Sequence, residues 1–265
     1  MKKILTGAAI TLAAAVAMTA PAQAAPKDPV AALKKQFVAG HGVRVSETVK
    51  LESDGQKSTA RTTGVLAFGK SGVVASDLRL KGKGVAGLGA SRTISVKGHT
   101  YLQGGIFGED LPEGKKWVRY PTAGASQLGV NQLIDVFQPK VLKAVLAKAK
   151  PGKGDVYRGT ITMKDLSKLS GPAVSGKFGK VKIDYLVDLD SRGLVSRVSS
   201  TVVMDFGLLG TIKSTADSRY TAWGARITVK APPKDEWIDF NEIGPDSNLP
   251  ESLPEDAITS LGQGR

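Results

Sequence analysis

Gly64-Val65-Leu66-Ala67-Phe68-Gly69-Lys70-Ser71 satisfies G-x-x-x-x-G-K-S, the spacing with which a loop turns its backbone amides and a lysine onto phosphate. That chemistry needs the loop to open a helix N-terminus. The four intervening residues are apolar and strand-like, and Gly72-Val73-Val74 runs on as strand, so a tight turn is expected in place of a nucleotide site. Gly82-Lys83-Gly84-Val85-Ala86-Gly87 spells G-x-G-x-x-G, which binds a dinucleotide only when a helix follows at once and an acid stands about 20 residues on. Here Ser91 to Val96 is patterned as strand, so Gly82 to Gly89 reads as a glycine-rich loop, a lid if the fold is an open half-barrel. The two histidines, His41 and His99, stand beside glycines at a spacing that fits no metal pair, and no nucleophile elbow is present. The carboxylate pairs Asp188/Asp190 and Glu52/Asp54 fall on strand exteriors and turns. No catalytic residue, metal ligand or cofactor is assigned, although a triad assembled only in space leaves no mark in a sequence.

The elements that would position any site are mostly strands. Asp28 before Pro29 starts a helix, with a side-chain oxygen to cap it and proline at the first helical position; Val30, Leu33 and Phe37 share one face. Val43, Val45, Val49 and Leu51 alternate with Arg44, Ser46, Thr48 and Lys50 as a first strand. Asp54-Gly55 signals a hairpin, and Lys57 to Phe68 returns. Strands are expected over Val73 to Leu80, Thr93 to Val96, Thr100 to Gln103 and Trp117 to Tyr120. From Gln132 to Ala149 the period turns helical, with Ile134, Phe137, Val141 and Val145 on one stripe, and Pro139 divides the region into two helices. Asp155 to Met163 is strand and Lys164 to Leu169 a short helix. The tally is about eleven strands with two or three helices in one domain.

The closing block, Val181 to Pro233, is a meander. Val181, Ile183, Tyr185, Val187 and Leu189 alternate with polar residues, Asp190-Ser191-Arg192-Gly193 turns, and Leu194, Val198, Val202, Met204 and Phe206 resume. One strand is expected from Thr211 to Thr221 and another, introduced by Gly224, from Ala225 to Lys230. The D-x-x-G-L-V hairpin and the ending Tyr220-x-x-Trp223-Gly224-x-x-Ile227-x-Val229-x-Ala231-Pro232-Pro233 resemble the LolA-like proteins, in particular the LppX/LprG-type lipoprotein family of lipid carriers. The resemblance covers about a fifth of the chain. It implies an α+β fold, an open or half-closed antiparallel β-barrel with helices over its concave face, and non-catalytic binding and transport of lipid in the cell envelope. That family is anchored through a lipidated cysteine, and this chain has none.

Lys2 and Lys3, the apolar run Ile4 to Met18 and the small-x-small site Ala22-Gln23-Ala24 form a secretory signal peptide, with cleavage expected between Ala24 and Ala25. The organisation is therefore a leader over 1–24, a barrel domain over 25–240 and an irregular, proline-punctuated tail over 241–265, with Trp237, Ile238 and Phe240 pinning the start of that tail. Without cysteine an exported chain must be stabilised by burial, for which 241 mature residues suffice. The net charge is +13, or +11 without Lys2 and Lys3, which favours anionic partners. Nucleic acid is not expected, because the basic residues are dispersed and stacking aromatics are sparse.

Binding then rests on burial. Ser58, Ala60, Thr62 and Gly64 on one strand and Ser214, Ala216 and Ser218 on another are small and share inward parity. Two readings stand open: these positions face solvent or are filled by the helices, or they line a volume for an acyl chain. On the second, Leu66, Phe68, Ile134, Phe137, Val141, Val145, Ile212 and Tyr220 line an apolar pocket for a lipid or acylated ligand. Lys81, Lys83, Lys140 and Lys143 would then attract an anionic headgroup or membrane surface. A monomer is expected. The alternative function is an extracytoplasmic sensory or regulatory module of the same fold that binds an envelope protein, with the C-terminal tail as contact.

Overall fold

In the computed structural model the described residues are 28–53, 55–82, 90–109, 111–122, 130–170, 173–207, 210–243 and 249–253. The leader and its cleavage site, Lys83 with the rest of the glycine-rich loop, and the end of the tail lie outside them. The chain opens with α1 (Pro29–Gln36), where Asp28 Oδ1 accepts from Val30 N at 3.0 Å and Ala31 N at 2.9 Å. Three long antiparallel strands follow: β1 (His41–Ser53), β2 (Gln56–Phe68) and β3 (Val73–Gly82). Ser53 faces Gln56 across the Asp54-Gly55 turn, where Gly55 takes φ +77°, a conformation open to glycine. Short strands β4 (Arg92–Val96), β5 (His99–Gln103) and β6 (Trp117–Pro121) continue the sheet. Then come α2 (Pro139–Lys148), β7 (Lys150–Pro151), β8 (Val156–Thr162), α3 (Met163–Ser170), the single turn α4 (Gly176–Gly179), β9 (Lys182–Leu189), β10 (Val195–Asp205), β11 (Thr211–Arg226) and β12 (Trp237–Asp239).

All twelve strands join one open sheet in the order β12-β6-β5-β4-β3-β2-β1-β11-β10-β9-β8-β7. The expected class, α+β with an open antiparallel sheet and helices over one face, is the fold adopted; β12 alone runs parallel, beside β6. The long-range pairing of β1 with β11 joins the N-terminal strands to the closing meander. Both edges are blunted, one by the two-residue β7 with its proline, the other by the three-residue β12.

The helices cover one face of the sheet. Leu33 of α1, Val141, Leu142 and Val145 of α2, and Leu166 of α3 pack with Val43, Val45, Leu66, Phe68, Leu78, Ile161, Ile183, Val187, Val198 and Val202 from six strands. On the opposite face Ile227, Val229 and Trp237 cover Ala67, Ala75, Ile94, Val96, Tyr101 and Trp117. The chain then rounds the β6 edge, and Phe240, Ile243, Leu249 and Leu253 pack on Leu102, Phe107, Val118 and Tyr120 of the helix-covered face. Contacts with the sheet thus continue past residue 240, where the tail was expected to begin.

Two expectations are corrected. The stretch 132–138 is not a helix: Asp135 Oδ1 accepts from Phe137 N at 3.0 Å and Gln132 bonds to the sheet, so only Pro139 onward coils, with proline at its favoured N-terminal position. The twelve strands among the described residues agree with the expected tally of about eleven, although β7 and β12 are too short to show a period. Finally, β11 is one 16-residue strand through Arg226, and 227–233 is not strand. Ala222 at φ +52° and Gly224 at φ +81° form a bulge against Gly42 to Arg44. The bulge turns Trp223 onto the same face as Tyr220, where simple alternation would have put it outside.

Candidate functional site

The registers arrange the covered face in rows across the sheet. Val198, Ser218, Glu47 and Thr62 lie side by side on β10, β11, β1 and β2; the next row is Tyr185, Ser200, Ala216, Val49 and Ala60. Further along, Leu66, Ser76, Ser95 and Thr100 cross β2 to β5. Small and hydroxyl side chains therefore run through the middle of a face whose two flanks are large and apolar. Ala60, Thr62, Ser76, Ser95, Thr100, Ser200, Ala216 and Ser218 are all buried.

Burial is graded along the strands. At the end carrying the β1–β2 and β10–β11 turns, the inward residues Leu51, Ser58, Ile212 and Ser214 are only half-buried. Four to eight residues deeper, Val45, Glu47, Leu66, Ser218 and Tyr220 are closed off. The covered face is thus less closed at this end over β1, β2 and β11, while Ile183, Val202 and Met204 in the same rows of β9 and β10 stay buried. The opposite end is packed with rings: Phe68 lies 5.5 Å from Phe37, 6.0 Å from Phe137 and 5.8 Å from Trp223, and Phe137 lies 5.2 Å from Tyr220. Trp223 Nε1 donates to Val195 O at 2.9 Å, fixing the cluster to β10.

At the heart of the face is a residue that alternation does not anticipate. Glu47 sits at inward parity between Val45 and Val49 and is fully buried. Its Oε1 accepts from Asn131 N at 2.7 Å and Asn131 Nδ2 at 3.3 Å, and its Oε2 accepts from Ser218 Oγ at 2.8 Å. Gln132 Nε2 donates to Val198 O at 3.2 Å and to Ser218 Oγ at 3.3 Å, while its Oε1 accepts from Ile134 N at 3.3 Å. Segment 131–134 is stitched by these bonds to β1, β10 and β11. Burial pushes the Glu47 carboxyl above its ordinary range, and the donors from Asn131 and Ser218 only partly offset this. Burial likewise raises the Tyr220 phenol, helped by the charges of Glu47 and Asp135. The signal for Glu47 was available in its position, a carboxylate inside an apolar stripe. Nothing local announced Gln132 or Asn131, whose partners lie 66 to 86 residues away in sequence.

Of the expected pocket residues, Leu66, Phe68, Ile134, Phe137, Val141, Val145 and Tyr220 meet in one buried cluster. Ile212 stands apart, half-buried at the less closed end. The expected cations are not brought together. Lys81 ends β3 near the less closed end, whereas Lys140 and Lys143 belong to α2. Lys140 lines a cleft of about 400 Å³ beside the β2–β3 turn, with Ser71, Gly72, Val73, Asp135, Phe137, Gln138, Pro139 and Leu169. That turn is eight residues of strand from Lys81, about 26 Å. The cleft is a second, mostly polar opening with Phe137 and Leu169 among its apolar walls.

The phosphate-type motif is a turn: Gly69 N donates to Gly72 O at 2.8 Å and β3 follows directly. Gly64 is needed for another reason, since a Cβ there would sit 2.1 Å from Asp77 O. His99 Nδ1 lies 3.1 Å from Lys97 O within its own turn. Among the described residues no three His, Asp or Glu side chains cluster as a metal site, and no helix is long and apolar enough to cross a membrane.

No protein-family model matches the chain. No curated protein matches it either. Similar solved structures include LprF from Mycobacterium bovis, at 15% identity over 77% of this chain and 95% of that one with a TM-score of 0.37. The LolA superfamily protein NE2245 from Nitrosomonas europaea is 10% identical over 76% and 93%, with a TM-score of 0.29. A DUF1329 family protein from Desulfovibrio piger is 12% identical over 74% and 92%, with a TM-score of 0.28. With likeness this distant, function has to come from the chain's own residues.

Proposed function

We propose that this protein is a secreted, non-catalytic carrier that holds a lipid or acylated molecule between its sheet and its helices. The observation that supports the reading is the strip of small side chains, Ala60, Thr62, Ala216, Ser218 and Ser200, on a helix-covered face that is less closed at one end. An acyl chain entering past Leu51 and Ile212 would lie along Ala60 and Ser200, and to go on toward Leu66, Val145 and Tyr220 it would have to displace the Gln132 side chain from Ala216 O and Ser218 Oγ; each methylene removed from water contributes about 0.8 kcal/mol. Ser58 and Ser214 stand at the rim, and Lys81, paired with Arg61 on the uncovered face, could reach an anionic headgroup only around the sheet edge at that end. Lys140 adds positive charge at the opposite cleft, and Lys143 stands nearly one turn further along α2.

Mass spectrometry of the protein purified from the secretome of its own producer tests this reading. Near-stoichiometric co-purified acyl lipid is expected. Ala216→Leu, which narrows the strip, should abolish uptake of a fluorescent fatty acid while leaving thermal stability nearly unchanged. An unliganded protein that takes up no fatty acid, with Ala216→Leu destabilised by the 1–3 kcal/mol typical of an overpacked core, about 2 kcal/mol, would mean that the strip is simply filled.

A further inference from the structure

The less closed end of the covered face carries an apolar surface that the carrier reading leaves unused. α4 is a single turn, Lys177-Phe178 between two glycines, and Phe178 is 47% exposed, the one aromatic among the large apolar side chains that stand exposed in the described residues. Its ring lies 6.0 Å from Phe206, at the start of the β10–β11 hairpin connection. That connection is tight: Phe206 N donates to Gly210 O at 3.0 Å and Gly210 N to Gly207 O at 3.0 Å. Val203, also exposed, at 51%, has the opposite strand parity to the buried Val202 and Met204 and so lies on the uncovered face, apart from Phe178. Phe206 is half-buried against the core, whereas the exposed Phe178 ring on the single turn α4 gains nothing in water, where it remains a hydration cost.

The charge around this surface is one-sided. Lys177 and Lys180, on and beside α4, are exposed and make no ion pair among the described residues; Lys182, also exposed and without an ion pair among them, and Lys213, which lies opposite Val203 and is shared with Glu52 at 3.8 Å, rim the same end from the uncovered face. Asp205, the acid nearest the tip, spends one oxygen on Gly207 N at 2.7 Å. Apolar rings framed by lysines match the layering of a bilayer that contains anionic lipid: rings at the level of the acyl boundary, ammonium groups at the phosphates. A soluble anionic polymer would satisfy the lysines and leave Phe178 wet.

We infer that the Phe178–Phe206 end docks reversibly on an anionic membrane surface, so that the less closed end of the covered face meets the bilayer. The inference rests on the carrier reading for its purpose and on Phe178, Phe206, Lys177, Lys180 and Lys182 for its chemistry. One aromatic ring and a few lysines give weak, reversible attachment, which suits a shuttle.

Flotation of the full secreted chain with vesicles tests it. Binding is expected to phosphatidylcholine vesicles containing phosphatidylglycerol and not to phosphatidylcholine alone. Phe178→Ser should weaken it about tenfold, and Lys177→Gln with Lys180→Gln about as much. Both changes are on the surface, so fatty-acid uptake in solution should be unchanged. In Phe178→Trp, fluorescence should be quenched by brominated lipid, because a docked ring sits within the acyl boundary. Binding that ignores Phe178, equal affinity for uncharged vesicles, or no quenching would overturn the docking surface. Loss of fatty-acid uptake with vesicle binding intact would instead overturn the carrier reading alone.

Discussion

Glu47→Gln is the most informative substitution in the molecule, because it separates the charge of Glu47 from its shape. The carboxyl has a folded-state pKa above its ordinary value of 4.5, raised by burial. Below 4.5 it is protonated in both the folded and unfolded chain and titration has no effect on stability. As pH rises through 4.5 the unfolded chain releases the proton first, and stability falls by at most about 1.4 kcal/mol per pH unit until the folded-state value is reached. Above that value the loss is constant. Glutamine carries no such proton, yet its Oε1 can accept from Asn131 N and its amide can donate to Ser218 Oγ, reversing the bond in which Ser218 Oγ donates to the Glu47 carboxylate. The stability of Glu47→Gln relative to the parent should therefore grow as pH rises from 4.5 toward neutrality, with all other titrating groups cancelling in the difference. Urea unfolding midpoints of both proteins across that range provide the measurement. Glu47→Leu controls for shape, since it strands Asn131 N and the Ser218 hydroxyl at about 1–3 kcal/mol each at every pH. A difference that stays flat, or a parent that gains relative to Glu47→Gln as pH rises, would refute the reasoning: the donors would then outweigh burial.

Further expectations concern local features. Asp28→Ala removes the acceptor of two α1 amides and should lower stability by about 1 kcal/mol in chemical denaturation. Gly64→Ala drives a Cβ into the Asp77 carbonyl and should unfold or misregister the β2–β3 pair, read as lost amide-exchange protection in both strands. Tyr185→Phe removes the bond from Tyr185 Oη to Val145 O at 2.7 Å, which ties β9 to α2, and should lower the melting midpoint by an amount equivalent to about 1 kcal/mol.

Much of the fold was readable because its signals are local. The Asp28-Pro29 helix start, the Asp54-Gly55 turn and the alternation of β9 and β10 each depend on residues within a few positions of one another, and each appears where expected. The helical stripe over Ile134, Phe137, Val141 and Val145 shows the limit of such reading. The four residues share a burial site, yet only the last two lie on a helix, because a bonded irregular segment can present side chains to one side as well as a helix can. The Tyr220-x-x-Trp223 spacing defeats a period of two for the same reason: a bulge inserts a residue that no count along one strand reveals.

From the sequence alone follow the class of chain, the polarity of each strand's two faces and the inward parity of the small residues on β2 and β11. These depend on backbone geometry that repeats every two residues. Only the tertiary structure decides that β1 pairs with β11, placing Glu47 between Ser218 and Thr62, or that Lys81 and Lys140 stand at opposite ends of the strands. It also decides that Phe178 stands exposed beside Phe206. The physical reason is that pairing between strands some 170 residues apart, like the Ser218 to Glu47 bond, is settled by how the whole apolar face can be buried at once. No local segment carries that information.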